Sequence, residues 1–238
     1  MNEALRRLVG EAWAFRTRVE HDAASRFTRL AAAISSFDPA SPAIALMERA
    51  AADERRHAGL CAELSLAYGE RAPEEGAFPE IAPAGLPPRA AVLYEVVAAC
   101  CITETESVAT VTTLLAAPAE GRVREILHEI ARDEVVHGRM GWGHLAREAA
   151  QTDVSFLAQW IPTMLAGTAD EGLFAEAAPE YESEELLRHG VLPHSRKRAI
   201  FVATLEGVVF PGLERFGVDP EAGRTWLAAR QGPPPARA

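Results

Sequence analysis

Apolar residues recur at intervals of three and four along four long stretches before residue 150, the periodicity of helices that bury one face. The first stretch, from about Glu3 to Ser35, lines up Trp13, Thr17, Glu20, Ala24, Phe27, Ala31 and Ile34. The second opens at Ser41-Pro42, a serine cap with proline in the first turn. It reaches about Tyr68, with Met47, Ala50, Ala51, Glu54, Ala58 and Cys61 on one side. The third, about Arg89 to Ala116, carries Leu93, Val97, Cys101, Glu104, Val108, Val111 and Leu115. The fourth, about Gly121 to Ala149, carries Val123, Leu127, Ile130, Glu134, His137, Gly141 and Leu145.

The links between these stretches predict a topology. Short connections at 36–41 and 117–120 make the first pair and the last pair antiparallel neighbours. Between the second and third helices lies 69–88 (GERAPEEGAFPEIAPAGLPP), rich in proline and without periodicity. A helix of about 27 residues is roughly 40 Å long, and about 20 extended residues reach roughly 65 Å, so this linker can cross the full length of a bundle. The expectation is an all-α four-helix bundle over 1–150 with a long crossover between helices 2 and 3.

Beyond the bundle, a helix is expected over 153–166, interrupted at Pro162, and then a solvated acidic loop over 170–185. A further helix over 193–216 should bend before Pro211, and a last one is capped at Asp219-Pro220. Residues 151–231 read as a C-terminal helical extension packed on the bundle, and 232–238 (GPPPARA) as a disordered tail.

Charge narrows the function classes. A net charge of −10 and a pI near 5.3 argue against a nucleic-acid surface. Met1 to Arg7 leads into an amphipathic helix without the apolar core of a signal peptide. No stretch reaches the roughly 18 uninterrupted apolar residues of a membrane span. A cytoplasmic chain with no membrane partner is expected. The three cysteines, Cys61, Cys100 and Cys101, follow no disulfide or zinc spacing and read as small buried residues.

Each apolar stripe contains one glutamate where an apolar residue should stand: Glu20, Glu54, Glu104 and Glu134. Ionised carboxylates in a core are costly unless paired or metal-bound, and four facing each other call for a cation. Two are followed by histidine at i+3, in Asp53-Glu54-Arg55-Arg56-His57 and Asp133-Glu134-Val135-Val136-His137. That spacing places both side chains on one helix face, a turn apart. A third Glu-x-x-His, Glu125 to His128, points outward among Gly121, Arg122, Glu129 and Arg132 and is set aside. Both retained motifs begin with aspartate, although the chain holds only seven. Depth agrees as well: each glutamate lies about 12 to 15 residues from its connecting turn, so at 1.5 Å per residue the members of each pair sit at matching heights. The chain reads as a pseudo-repeat of carboxylate helix followed by Asp-Glu-x-x-His helix.

Four carboxylates and two imidazoles suit two iron or manganese ions. Over about residues 10 to 145 the pattern resembles the ferritin-like di-iron carboxylate superfamily, whose motif is glutamate, Asp/Glu-Glu-x-Arg-His, glutamate and a second such motif. The first copy matches through Arg56; the second has Val136 at that place. The resemblance implies that Glu54 and Glu134 bridge two metal ions, iron first and manganese as the alternative. It makes Glu20 and Glu104 terminal ligands and has His57 and His137 bind one ion each. It also implies that Asp53 and Asp133 accept hydrogen bonds from the far histidine nitrogens across the bundle.

Other residues fit the set less well. Glu106 competes with Glu104 but shares its side with the less apolar Ile102, Ala109 and Thr110. Glu95 reads as a solvated or outer group, and His144 as a satisfied core histidine. Tyr94 stands about 15 Å along the axis from Glu104, far for a radical site. His21, His128, His189 and His194 read as surface residues.

Fold and ligands do not fix the activity. The leading expectation is an oxidoreductase whose di-iron centre activates dioxygen to oxidise or hydroxylate a small organic substrate, drawing on an external electron donor. Small residues near the site (Ala23, Ala24, Ala50, Ala51, Ala58, Cys100, Cys101, Ser107 and Gly141) should leave room for that substrate. The alternatives are iron oxidation and storage or peroxide detoxification, and a metal-binding protein without turnover. A homodimer is the candidate oligomer.

Overall fold

The first helix starts where Asn2 caps it, its Oδ1 accepting the Leu5 N–H at 2.8 Å, with Glu3 favourably placed in the first turn. It runs as α1 over Glu3–Phe37 and stops two residues before Pro39, whose ring disfavours helix in the residue ahead of it. The molecule is seen in a computed structural model that describes residues 1–231 except Ala77 and Asp170. Among the described residues every regular element is helical. The expected tail over 232–238 lies outside them.

Helix α2 spans Ala43–Ala67. Pro42, not Ser41, is its last non-helical residue, and the Ser41 hydroxyl accepts only a long 3.4 Å bond from the Ala43 N–H. Gly69, at φ +93°, lets the chain turn out of α2 so that the Glu70 N–H reaches the Ser65 carbonyl at 3.0 Å. The 69–88 linker then crosses the bundle. Glu70 lies against Gly10 near the start of α1, whereas Arg89 stacks on Phe37 at the end of α1 and pairs with Glu148 near the end of the last bundle helix.

The third rod is not a uniform α-helix. It comprises α3 (Pro88–Val96), a π-helical segment (Val97–Thr103) and α4 (Glu104–Ala116). The Thr103 hydroxyl donates to the Ala98 carbonyl at 3.1 Å, five residues back, within the widened turn. The extra residue rotates the helix beyond it, so Leu114 is buried where the even stripe had Leu115, and Val108 is only half-buried. Helix α5 (Gly121–Ala149) packs against this segment through Gly141, where an added Cβ would overlap the Cys100 Cβ. Gly141 is therefore consumed by helix contact and does not open space. An ion pair of 2.9 Å between Asp38 and Arg147 sets the end of α5 beside the end of α1.

After α5 the chain departs from the expected pattern. A 3₁₀ turn over Ser155–Trp160 precedes α6 (Ile161–Thr168), so Pro162 starts a helix instead of interrupting one, as its missing N–H permits. The acidic stretch forms 3₁₀ turns at Glu171–Phe174, Pro179–Glu182 and Glu184–His189, and it buries Leu173. Helix α7 (His194–Thr204) continues through a second π segment (Leu205–Val209) into α8 (Phe210–Arg215). The π segment stands where Pro211 offers no N–H to the Gly207 carbonyl, and it takes the place of the expected bend. Asp219 caps α9 (Glu221–Gln231), its Oδ1 accepting the Glu221 N–H at 3.0 Å. Leu157, Ile161, Phe201 and Phe210 from these elements pack against Leu93, Val97 and Cys101 of the third rod.

Two apolar clusters fill the bundle ends. One gathers Leu5, Val9, Trp13, Leu64, Leu114 and Ile130; the other gathers Phe27, Ile34, Met47, Val96 and Met140. Between them lies a polar layer.

Candidate metal centre

That layer is made by Glu20 of α1, Glu54 and His57 of α2, Glu104 at the start of α4, and Glu134 and His137 of α5, all buried. Their stripe positions dictate this placement, since each stands on a helix face otherwise given largely to the apolar core. The six fall into two overlapping groups whose donor atoms lie within 4.8 Å of one another: Glu20, Glu54, His57 and Glu134, and Glu54, Glu104, Glu134 and His137. Glu54 and Glu134 belong to both. Each group could hold a metal ion.

The histidines are oriented from the opposite helix. His57 turns Nδ1 to Glu54 Oε2 at 3.0 Å and Nε2 to Asp133 of α5 at 3.3 Å. His137 turns Nδ1 to Glu54 Oε1 at 2.8 Å and Nε2 to Asp53 of α2 at 3.5 Å. Both Nε2 atoms thus face carboxylates at the edge of the layer, and both Nδ1 atoms face inward. Arg56 bonds both Asp53 and Asp133 and reaches Glu129 at 2.9 Å.

Hydrogen bonding leaves this layer incomplete. His137 Nδ1 and Glu54 Oε1 lie 2.8 Å apart without hydrogen-bond geometry. Both atoms, together with Glu134 Oε2, are buried and unpartnered. Buried polar atoms without partners are rare because each forfeits its hydration. Three of them converging among oxygen and imidazole donors fit a cation, as do hard and borderline ligands of this kind.

Electrostatics carry the same signature. Burial, reinforced by Glu54 and Glu134 against the pull of Arg16, holds the Glu20 carboxyl well above the usual carboxylate range. Burial and Glu134 do the same to Glu104. Burial also works against the Glu54 carboxylate, but the contacts with His137 and His57 outweigh it and bring the group down to about 2. Burial disfavours the charged His137, yet Glu134 and Glu54 push it up to about 10. Asp133, opposed by burial, is drawn down to about 2 by Arg132, His57 and Arg56. Without a metal, protons must therefore neutralise part of the layer.

Several residues stand elsewhere than expected. Glu95 is buried and pairs with Arg29 at 2.6 Å. His189 is buried, its carbonyl accepting the Trp13 indole N–H at 2.9 Å and its Nδ1 meeting the Tyr68 hydroxyl at 2.9 Å. His144 is buried with Nδ1 unpartnered, so it is not a satisfied core histidine. Glu106 belongs to neither donor group and accepts the Thr110 hydroxyl at 2.8 Å. Arg16, at 3.1 Å from Glu20, is a neighbour that the stripe pattern does not announce, although its i, i+4 spacing to Glu20 is a visible signal.

One side of the layer opens onto a cavity of about 1080 Å³ between α1, the third rod, α6 and the segment leading into α7. Glu20, Glu104 and Glu134 form part of its wall, as does Glu106. Of the small residues expected to make room, Ala23 and Ser107 line it, and Ala98 and Ala99, outside that set, do so too. Among the described residues no helix is long and apolar enough to cross a membrane. No protein-family model, curated protein or solved structure matches this chain.

Proposed function

We propose that the chain is a ferritin-like di-iron carboxylate protein that activates dioxygen to oxidise a small organic molecule held beside the metal pair. The observation that carries this reading is the sharing of Glu54 and Glu134 between two four-residue donor groups, one wall of which opens onto the large cavity. Glu54 and Glu134 would bridge the two ions, and Glu20 with His57 and Glu104 with His137 would complete one ion each. A reduced iron pair supplies the electrons and open coordination positions for oxygen activation.

The chain's own residues account for the rest. Asp133 and Asp53, facing the Nε2 atoms of His57 and His137, would hold the Nε2–H tautomers once the inner proton gives way to a metal, leaving each Nδ1 to bind it. The apolar clusters at both bundle ends keep bulk water from the layer along its axis. Arg16, paired to Glu20 on the cavity side, offsets part of the negative charge there. The cavity favours substrate oxidation over iron storage, which needs no organic pocket of this size.

Anaerobic addition of Fe(II) followed by elemental analysis should return two iron atoms per chain, and the loaded protein should consume dioxygen when a reductant is present. Glu54→Ala should abolish both. Loading of one ion or none, or iron bound without oxygen consumption, overturns the reading. A large cage on size-exclusion chromatography would move it to storage.

A further inference from the structure

The cavity is asymmetric in polarity. Its inner wall holds the carboxylates Glu20, Glu104, Glu134 and Glu106, whereas its deep sides are apolar, with Trp13, Tyr94, Leu114 and Met164 all nearly inaccessible to solvent. Its outer lining carries large apolar side chains that remain open to solvent: Phe15 at 49%, Tyr181 at 44% and Ile81 at 38% exposure. Three large apolar groups exposed around one opening are unusual for a free surface and mark a place where apolar ligands enter.

Two cations stand at that opening on a single ring. The Arg18 guanidinium lies 5.1 Å and the Lys197 ammonium 6.0 Å from the Phe15 ring centroid. Other basic side chains on the cavity are engaged, Arg16 with Glu20 at 3.1 Å and Arg26 with Asp22 at 2.8 Å. Arg18 and Lys197 take part in no ion pair among the described residues, although both line the cavity. An anionic head group therefore meets attraction at the mouth, whereas the deep sides of the cavity are apolar, which fixes the direction in which an amphipathic anion can lie.

We infer that the cavity binds an amphipathic monocarboxylate, its carboxylate held at the mouth by Arg18 and Lys197 and its apolar body lying along the apolar walls that Trp13, Leu114, Tyr94 and Met164 provide. At about 1080 Å³ the space slightly exceeds the usual range of ligand cavities, about 300–1,000 Å³, so it accommodates a long alkyl or polycyclic body. This assignment rests on the oxidase reading only in naming the ligand a substrate; the binding itself requires no metal.

Calorimetric titration of the full chain with dodecanoate, and with dodecyltrimethylammonium as the same tail bearing the opposite charge, tests it. Both are measured on metal-free and on Zn(II)-loaded protein. Dodecanoate should bind at least tenfold more tightly than the cation. Arg18→Ala with Lys197→Ala should weaken dodecanoate on the order of tenfold or more, while thermal stability stays unchanged and binding of the cation does not weaken. A dodecanoate analogue with a terminal diazirine should label peptides from the third rod or α6 on irradiation. Equal affinity for both tails, indifference to the double substitution, or labelling confined to other surfaces overturns the inference. Failure of iron loading or oxygen consumption with these results intact would instead strike only the oxidase reading.

Discussion

His57 on α2 faces Asp133 on α5 across 3.3 Å, so one helix of the bundle orients a donor carried by another. The reciprocal contact joins His137 to Asp53, and Arg56 bonds both aspartates. An aspartate behind a ligating imidazole fixes its tautomer and raises its basicity. Asp133→Asn should therefore lower metal affinity on the order of 10- to 100-fold while leaving the fold intact. Competition against a chelator of known affinity measures the first, and a thermal melt of the metal-free protein the second.

Removal of metal should give the protein a specific pH dependence. Glu20 and Glu104 are raised in the fold above their ordinary values, and His137 is raised to about 10. A group whose folded pKa is raised contributes stability that is complete below its unfolded pKa and is lost as pH climbs through the folded one. All three act in that sense. The Glu54 and Asp133 contributions, from groups held near 2, are lost only as pH falls below the ordinary carboxylate range. The melting temperature of metal-free protein should accordingly fall as pH rises from the ordinary carboxylate range to about pH 10, and metal should abolish most of that slope by taking the place of the protons. Melts in a chelating buffer and in excess Zn(II), recorded at several pH values, decide it.

The three thiols should be inert. Burial pushes the Cys61 and Cys100 thiols well above their usual range, with Glu20 adding to the effect at Cys61 and Glu104 at Cys100. Burial likewise raises Cys101. Only the thiolate attacks a disulfide reagent, so at about pH 8 none of the three should react with Ellman's reagent in the folded protein. All three should react in concentrated guanidinium. A fast-reacting thiol under native conditions would show that the helix interfaces around it open readily.

The bundle was legible because helical periodicity is a local signal, and the polar layer because a glutamate on an apolar stripe violates that signal at a countable position. Glu20, Glu54, Glu104 and Glu134 stand out for that reason. The features that escaped depend on contacts between distant segments. The Arg29 to Glu95 pair leaves no trace in either local pattern, and neither does the burial of His189 against Tyr68 and Trp13. The π segment at Val97–Thr103 was hidden because Ala98 to Ile102 are all buried, so no polar position marks the change of pitch. The cavity was invisible because its walls come from α1, the third rod, α6 and the stretch around Lys197.

Gly141 and Gly143 offer a paired test of how tightly that π segment is held. Glycine within a helix costs roughly 0.5–1 kcal/mol relative to alanine, so Gly→Ala stabilises wherever the new methyl has room. At Gly143 a Cβ meets nothing within 4 Å, and Gly143→Ala should stabilise the protein by about that amount. At Gly141 the same methyl would overlap the Cys100 Cβ and stand 3.1 Å from its backbone, which forces α5 away from the third rod. Overpacking of this kind costs about 1–3 kcal/mol, more than the helix preference returns, so Gly141→Ala should destabilise. Cys100→Ala should not rescue it, because the clash is with the Cβ that alanine keeps, whereas Cys100→Gly should rescue in part. Urea unfolding of the four variants gives the signs directly. Stabilisation by Gly141→Ala would mean that α5 and the π segment do not touch at this position.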